Sequence, residues 1–437
     1  MLYVLSAYKS NILFSSFIFS LIMSFKKLNH FATLLFLMSI MTFPRSFIEL
    51  KLVFLVLFIF SYPLSSRRLT IYPEVIIFYC FVALIGSIWS VIGIFNGGAL
   101  HGISDSFRLW VFWSFAYMII ITLLRNDDKM KIIHIAITLS GILIFLINIF
   151  GLCNYYFNLG LISQDILKEL KLNFGIHKGY IQITSHNIGS LFFIIPYLIS
   201  IHFRQDADRL SSSLTKISLL FTVLLAAISG RRALWLVVVF APLIIAAFSH
   251  ITGSTNLLKK NSKRIINILI IAIAFFLFGI AFLFRKDTSD IVFLNHLKSA
   301  FSSLDARSIQ KGYLFDGFLK YPILGSGFGV SAGYLRSEKA PWLYELTYHQ
   351  ILFNFGIVGT FLIFSLFILY LYFVILLIRR NKNESVIAIS ILVAFFSFLI
   401  GAYSNPYLGS FDFLLYIGML PYLATYQNGY SYNTTRI

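Results

Sequence analysis

Ser229-Gly-Arg-Arg-Ala-Leu-Trp-Leu-Val-Val-Val-Phe240 sets two adjacent arginines between two strongly apolar runs, Leu219–Ile228 and Ala233–Phe248. Runs of that kind are built to sit in hydrocarbon. An arginine there costs roughly 2.5–3.5 kcal/mol on insertion scales, so charge inside a membrane reads as functional by default. The stretch therefore poses two questions: what kind of chain surrounds it, and what anion Arg231 and Arg232 would hold.

The whole chain answers the first. Of its 437 residues 59% are hydrophobic and only 12% charged, with a mean hydropathy of +0.85. A soluble globular domain carries about 25% charged residues. That class is excluded, and the pattern predicts an all-α, polytopic membrane bundle. Forty-eight Phe and 24 Tyr suit lipid-facing and interfacial positions. Cys80 and Cys153 follow no metal or redox spacing. The formal net charge of +18 reads as topological rather than as a nucleic-acid footprint, because Lys and Arg gather in short loops.

A span needs about 20 apolar residues, which divides the chain into about twelve. In order they are His30–Phe43, Phe47–Leu64, Ile71–Phe95, Leu109–Leu124, Ile132–Leu152 and Ile188–Phe203. After these come Leu214–Ile228, Ala233–Phe248, Ile265–Phe284, Ile351–Ile378, Val386–Ala402 and Phe411–Tyr426. A further apolar run, Ile12–Phe25, either crosses or lies in the interface. Three regions follow: membrane helices over 1–284 with a short loop near 153–187, a large loop over 285–350, and membrane helices with a tail over 351–437.

Basic clusters at Arg67-Arg68, Arg125 to Lys131, Arg204 to Arg209, Lys259 to Arg264 and Arg379 to Lys382 fall at every second connection. By the positive-inside rule those connections face the cytoplasm. Asn96–Phe107, Cys153–Asn187, Ser229–Arg232, Arg285–Gln350 and Ser404–Ser410 then face outward. Arg231-Arg232 thus opposes the rule that every other paired basic group obeys. Either the pair holds an anion, or it snorkels to lipid phosphates.

The connection Arg285–Gln350 is about 65 residues long, and loops of that length are uncommon unless functional. Ser302 or Ser303 can cap a helix that carries Arg307 and Lys311 one turn apart. That helix stops at Lys320-Tyr-Pro322, before Gly325-Ser-Gly-Phe-Gly329. With no strand ahead of them, these glycines make a poor nucleotide motif. They suit a sharp turn and a close backbone approach instead. Glu345, His349 and Gln350 fall at helical spacing at the mouth of the next apolar helix. Glu345 and His349 fit a base and its orienting partner, or a dipole-compensating carboxylate and an interfacial histidine.

The order of these features resembles the O-antigen polymerase/O-antigen ligase superfamily. Its elements here are Arg232-Ala-Leu at a span edge, Ala306-Arg307 through Tyr321-Pro-Ile-Leu-Gly-Ser-Gly327, and the polar mouth before Gly356-Ile-Val-Gly359. Thr184-Ser-His-Asn187-Ile-Gly189 is similar too. The resemblance implies glycan transfer from undecaprenyl pyrophosphate at the outer (periplasmic) face of a bacterial inner membrane. It implies no metal, nucleotide sugar or other cofactor. Implied partners are the lipid-linked oligosaccharide, membrane lipid and a chain-length regulator. His349-Gln350 has the residue types of the ligase motif but lies one helical turn too close to Gly356, which favours a polymerase over a ligase.

The residue chemistry suits that reaction. Guanidinium groups give permanent, bidentate recognition of a pyrophosphate, which assigns Arg231, Arg232 and Arg307 to the leaving group. An acceptor hydroxyl needs a base, which assigns Glu345 or His349. Without a carboxylate pair for a covalent intermediate, direct displacement with inversion is the simpler course. Tyr334, Trp342 and Tyr348 line a glycan path or anchor at the interface. A flippase or other transporter is the rival reading, but it would need polar groups to mid-membrane, where this sequence is apolar.

Overall fold

A computed structural model describes residues 27–44, 46–65, 73–124, 129–177, 180–204, 213–229, 231–253, 304–334, 338, 340–380, 386–403, 406–409 and 412–425. The run Ile12–Phe25, the span Ile265–Phe284, the caps Ser302 and Ser303, and most of the basic clusters lie outside these residues.

Apolar runs fold into helices wherever they are described. The first half gives α1 (27–42), α2 (Ile48–Ser65), α3 (Pro73–Phe95), α4 (Leu100–Phe107), α5 (Trp113–Leu123), α6 (Lys129–Tyr156) and the short α7 (Gln164–Leu170). The second gives α8 (Leu191–Arg204), α9 (Ser213–Ile228), α10 (Arg232–Ile251), α11 (Leu304–Lys320), α12 (Thr347–Arg380), α13 (Val386–Ala402), α14 (Asp412–Gly418) and α15 (Leu420–Thr425). Among the described residues, five helices are long and apolar enough to cross a membrane, and three further apolar helices are shorter. Phe95 is 84% and Phe361 69% exposed. Water would penalise so much bare aromatic surface, whereas lipid solvates it. The chain is a multi-pass helical membrane protein.

Helix α8 runs through the middle of the core, with α13, α10 and α9 packed around it. Bundles in lipid lack a hydrophobic drive between helices, so interhelical hydrogen bonds help to set their packing. Ser390 and Ser200 join α13 to α8. Asn148 donates to Asn187 Oδ1 at 2.9 Å, and Ser185 donates to the same oxygen. Where the last helix is interrupted between α14 and α15, buried Tyr79 donates to the Leu414 carbonyl and Tyr370 to those of Ile417 and Gly418.

Several connections touch one another: Asn96 Nδ2 donates to the Ser326 carbonyl and Ala99 N–H to that of Gly329. An antiparallel hairpin, β1 (Asn173–His177) with β2 (Tyr180–Thr184), pairs Asn173 with Thr184 and His177 with Tyr180. Ile183 N–H donates to the Ser229 carbonyl at the end of α9. Glu169 accepts from Phe47 N–H just ahead of α2, and its own carbonyl accepts from Ser46 Oγ.

The stretch Asn96–Phe107, expected as a connection, is helical from Leu100 and runs through a π turn, Arg108–Phe112, into α5. Its charges gave the look of a loop, but Asp105 pairs with Arg108 at 3.0 Å and lies 3.7 Å from His101, at helical spacings.

The glycine run docks the long connection onto the bundle. Gly325, Gly327 and Gly329 all have φ near +75° (74°, 77° and 77°). A Cβ on Gly327 would lie 2.1 Å from the Gly93 nitrogen, inside any real contact distance. Helix α12 breaks at Gly356, φ 61°, and 322–327 fill the break. Ser326 and Gly327 donate to the carbonyls of Phe353 and Asn354, while Ile357 and Val358 donate to those of Pro322 and Ile323. Phe328 N–H reaches the Trp89 carbonyl, and Trp89 Nε1 donates to Leu324. Backbone freed by a broken membrane helix must find partners within the protein; here it finds them in the loop.

Candidate functional site

Beneath this docked connection lies a cavity of about 600 Å³. Its depth is aromatic and aliphatic: Trp110 of the π turn and Trp113 of α5, Phe367 and Leu371 of α12, Phe395 and Phe396 of α13. Its loop-bearing end is polar. There it is lined by Asp105, Arg108, Lys171, His186, Trp342 and Gln350.

Three local features set that mouth. The π turn starts at Arg108; such a turn inserts one residue and re-aims the side chains around it, and π turns occur often at functional sites. Lys171 terminates α7 in the left-handed conformation, φ 46°, with its N–H bonded to Lys168. Ser46 Oγ lies 3.3 Å from His186 Nδ1, within hydrogen-bond reach. Trp342 closes the mouth from above. It is 8% exposed and packs flat on Gly102, where an added Cβ would lie 2.6 Å from its ring. Gln350 Nε2 donates to its carbonyl at 3.0 Å.

The residues expected to do chemistry fall into three places. Trp342 and Tyr348 line the cavity. Tyr348 donates to the Leu399 carbonyl at 2.7 Å, which satisfies an acceptor near the C-terminal end of α13.

Arg307 and Glu345 stand beside the mouth and hold each other. Arg307 Nε lies 3.1 Å from Glu345 Oε2, with the two side chains 40% and 28% exposed. Buried Gln310 fixes the geometry, its Oε1 accepting from the N–H groups of Glu345 and Leu346. Glu345 therefore precedes α12 rather than forming part of it, which corrects its expected helical spacing with His349, since Gln310 takes the N–H groups. His349 is in the first turn of α12, half-buried. Tyr334 packs against Tyr313, ring centroids 6.0 Å apart, and is not part of the cavity wall.

The opening arginines have a third setting. Arg231 precedes α10 in extended conformation, φ −88° and ψ 97°, and Arg232 begins the helix. Arg231 Nη1 donates to the Tyr407 hydroxyl at 2.7 Å. Tyr407 stands between Pro406 and Leu408, which both line the cavity. Arg231 thus reaches toward the back of the cavity wall, while its Nε is buried with no hydrogen-bond partner.

Sequence reasoning gave no site role to Arg108 or Lys171, and reached His186 only as part of the Thr184–Gly189 motif. A signal was available for Arg108: it borders an apolar run on the side opposite to the basic clusters, as Arg231 does. Among the described residues, no three His, Cys, Asp or Glu side chains gather to hold a metal ion.

The arrangement is amphipathic on the scale of one ligand: cations and hydrogen-bonding groups at one end, a long apolar bore at the other. No protein-family model and no curated protein matches this chain.

Proposed function

We propose that this protein is a membrane glycan transferase, a bundle of about twelve spans that polymerises surface-polysaccharide (O-antigen) repeat units. It moves a growing chain from undecaprenyl pyrophosphate onto the next lipid-linked unit at the periplasmic face of a bacterial inner membrane. The observation that carries this reading is the cavity, whose polar mouth and apolar bore match the two halves of a lipid-linked anionic glycan. The apolar depth also speaks against transport, since a polar solute crossing the bilayer needs polar groups at depth.

In this reading Arg307, beside the mouth, offsets the charge that develops on the pyrophosphate as the anomeric bond breaks; Arg231 and Arg232, given the same role from sequence, start α10, where Arg231 engages Tyr407 behind the cavity wall. Glu345 or His349 accepts the proton of the attacking hydroxyl. Arg307 and Glu345 act as one unit, because each restrains the other. Trp342 and Tyr348 flank the sugar next to the scissile bond.

The test is a deletion in the native host, read on the lipopolysaccharide ladder. Core carrying one repeat unit, with the ladder restored by the intact gene, is the expected result. Loss of all attached O-antigen, with long chains accumulating on the carrier, would make the protein a ligase. An unchanged ladder overturns both. Glu345→Gln and His349→Ala, assayed separately, should differ by about 100-fold if only one is the base.

A further inference from the structure

We propose that the foot of α11 and the turn after it dip into the bilayer, so that Leu319, Ile323 and Leu324 anchor the long connection in the phospholipid headgroup layer. The anchor is independent of what the cavity holds.

Helix α11 carries five charged residues, Asp305, Arg307, Lys311, Asp316 and Lys320, too many for a span. One side of it is buried on protein. Gln310 accepts from Glu345 and Leu346, Leu314 joins Tyr344 and Phe353, and a Cβ on Gly317 would lie 2.6 Å from the Phe353 ring. A second side is apolar and bare: Phe315 and Leu319, one turn apart, are 47% and 57% exposed. The turn beyond extends it, with Ile323 65% and Leu324 50% exposed. Gly312 and Asp316, also one turn apart, stand on a further side, about 100° round from one residue to the next. Water would penalise the apolar side and suit the last one.

The depth of the turn follows from α12. Ile357 and Val358 donate to the carbonyls of Pro322 and Ile323, which holds the turn beside those two residues. At its other end α12 closes on Arg379 and Arg380, charges that belong at a headgroup layer. A hydrocarbon core of about 30 Å takes about 20 residues at about 1.5 Å each. Counted back from Ile378, it ends near Gly359. The turn is therefore level with the hydrocarbon edge. Exposed Ile357, Phe361 and Leu362 carry the lipid-facing side of α12 up to it without a gap. Lys320 and Tyr321, between Leu319 and the turn, are residue types that settle at this level. An apolar face buried about 5–10 Å into the boundary, as in interfacial helices, covers Leu319, Ile323 and Leu324. The long connection is thereby held on two sides, by the glycine run on protein and by this tip on lipid.

The experiment places nitroxide labels on the full chain in vesicles of phosphatidylcholine with phosphatidylglycerol, after Cys80→Ser and Cys153→Ser. Power saturation compares access of oxygen, which concentrates in hydrocarbon, with access of a nickel chelate, which stays in water. Labelled Leu319→Cys, Ile323→Cys and Leu324→Cys should show an oxygen-to-nickel ratio severalfold above that of Gly312→Cys and Asp316→Cys. All five side chains are exposed, so no label displaces a packed group. High nickel access at all five positions would place the tip in water and overturn the anchor. Low access of both reagents at Leu319 and Ile323 would put protein there, a second copy or another chain, and overturn lipid as the occupant. Equal ratios on the two sides would remove the distinction between them and overturn it as well.

Discussion

The glycine junction and the cavity mouth meet at Phe328 and Gly329, yet they are built on opposite terms. The junction is backbone on backbone. Its glycines adopt φ values that L side chains rarely reach, and donors from both chain segments find fixed acceptors across the α12 break. At and beside the mouth, side chains meet in pairs that are between 28% and 50% exposed, Arg108–Asp105 and Arg307–Glu345. The first arrangement carries position, because nothing there can move without losing several bonds. The second carries charge that a ligand can compete for. A glycine-rich run beside a candidate site is thus scaffold here, and the chemistry lies with the exposed pairs.

The sharpest way to break that contrast is Gly327→Ala. It adds a left-handed strain of about 1–2 kcal/mol and an overlap of about 1–3 kcal/mol, together about 2–5 kcal/mol. Little folded protein should be recovered in detergent. Gly97→Ala is the matched control: φ is 73° but nothing lies within 4 Å of the added Cβ, so only the strain remains. Equal thermal transitions for the two variants would show that the junction is not close-packed.

Gln310→Leu comes next. It leaves the N–H groups of Glu345 and Leu346 without their buried acceptor, at about 1–3 kcal/mol. The loss should appear as a lowered thermal transition together with faster proteolysis around Glu345. A variant as resistant as the parent would show that the Glu345 turn is held by something else. Tyr348→Phe is milder. Loss of its bond to the Leu399 carbonyl should cost about 1 kcal/mol, with glycan transfer within about threefold of the parent. Abolished transfer would instead give the hydroxyl a chemical role.

The fold was legible where the signal was apolar length. The predicted spans Phe47–Leu64, Ile71–Phe95, Leu214–Ile228 and Val386–Ala402 match α2, α3, α9 and α13 to within about two residues. It failed at charged helix ends. His101, Asp105 and Arg108 read as a loop because composition does not reveal pairing at three- and four-residue spacings. The glycine run was legible as a close backbone approach but not in its partner on α3, since Gly93 lies more than two hundred residues from Gly327 in sequence. For the candidate site, residue type pointed to Trp342 and Tyr348 on the cavity wall. Lys171 was beyond reach, because its place at the mouth depends on how α7 folds back over Ser46 and Phe47.

The smallest stability effect belongs to the pair whose functional effect should be greatest. Arg307 and Glu345 are 40% and 28% exposed, so solvent screens their attraction and the pair contributes at most about 1 kcal/mol to folding. Arg307→Gln, Glu345→Gln and the double variant form a cycle whose coupling in thermal stability should stay below that figure. Chain extension in the same variants should drop by at least about 100-fold, and the double variant should be no worse than the poorer single one, as for groups that act as a unit. A stability coupling above about 2 kcal/mol with extension intact would move the pair to the junction's side of the comparison, as one more piece of scaffold. Loss of extension at unchanged stability would leave the exposed pair as the working edge of the site, held in register by Gln310 and by the rigid glycine seam behind it.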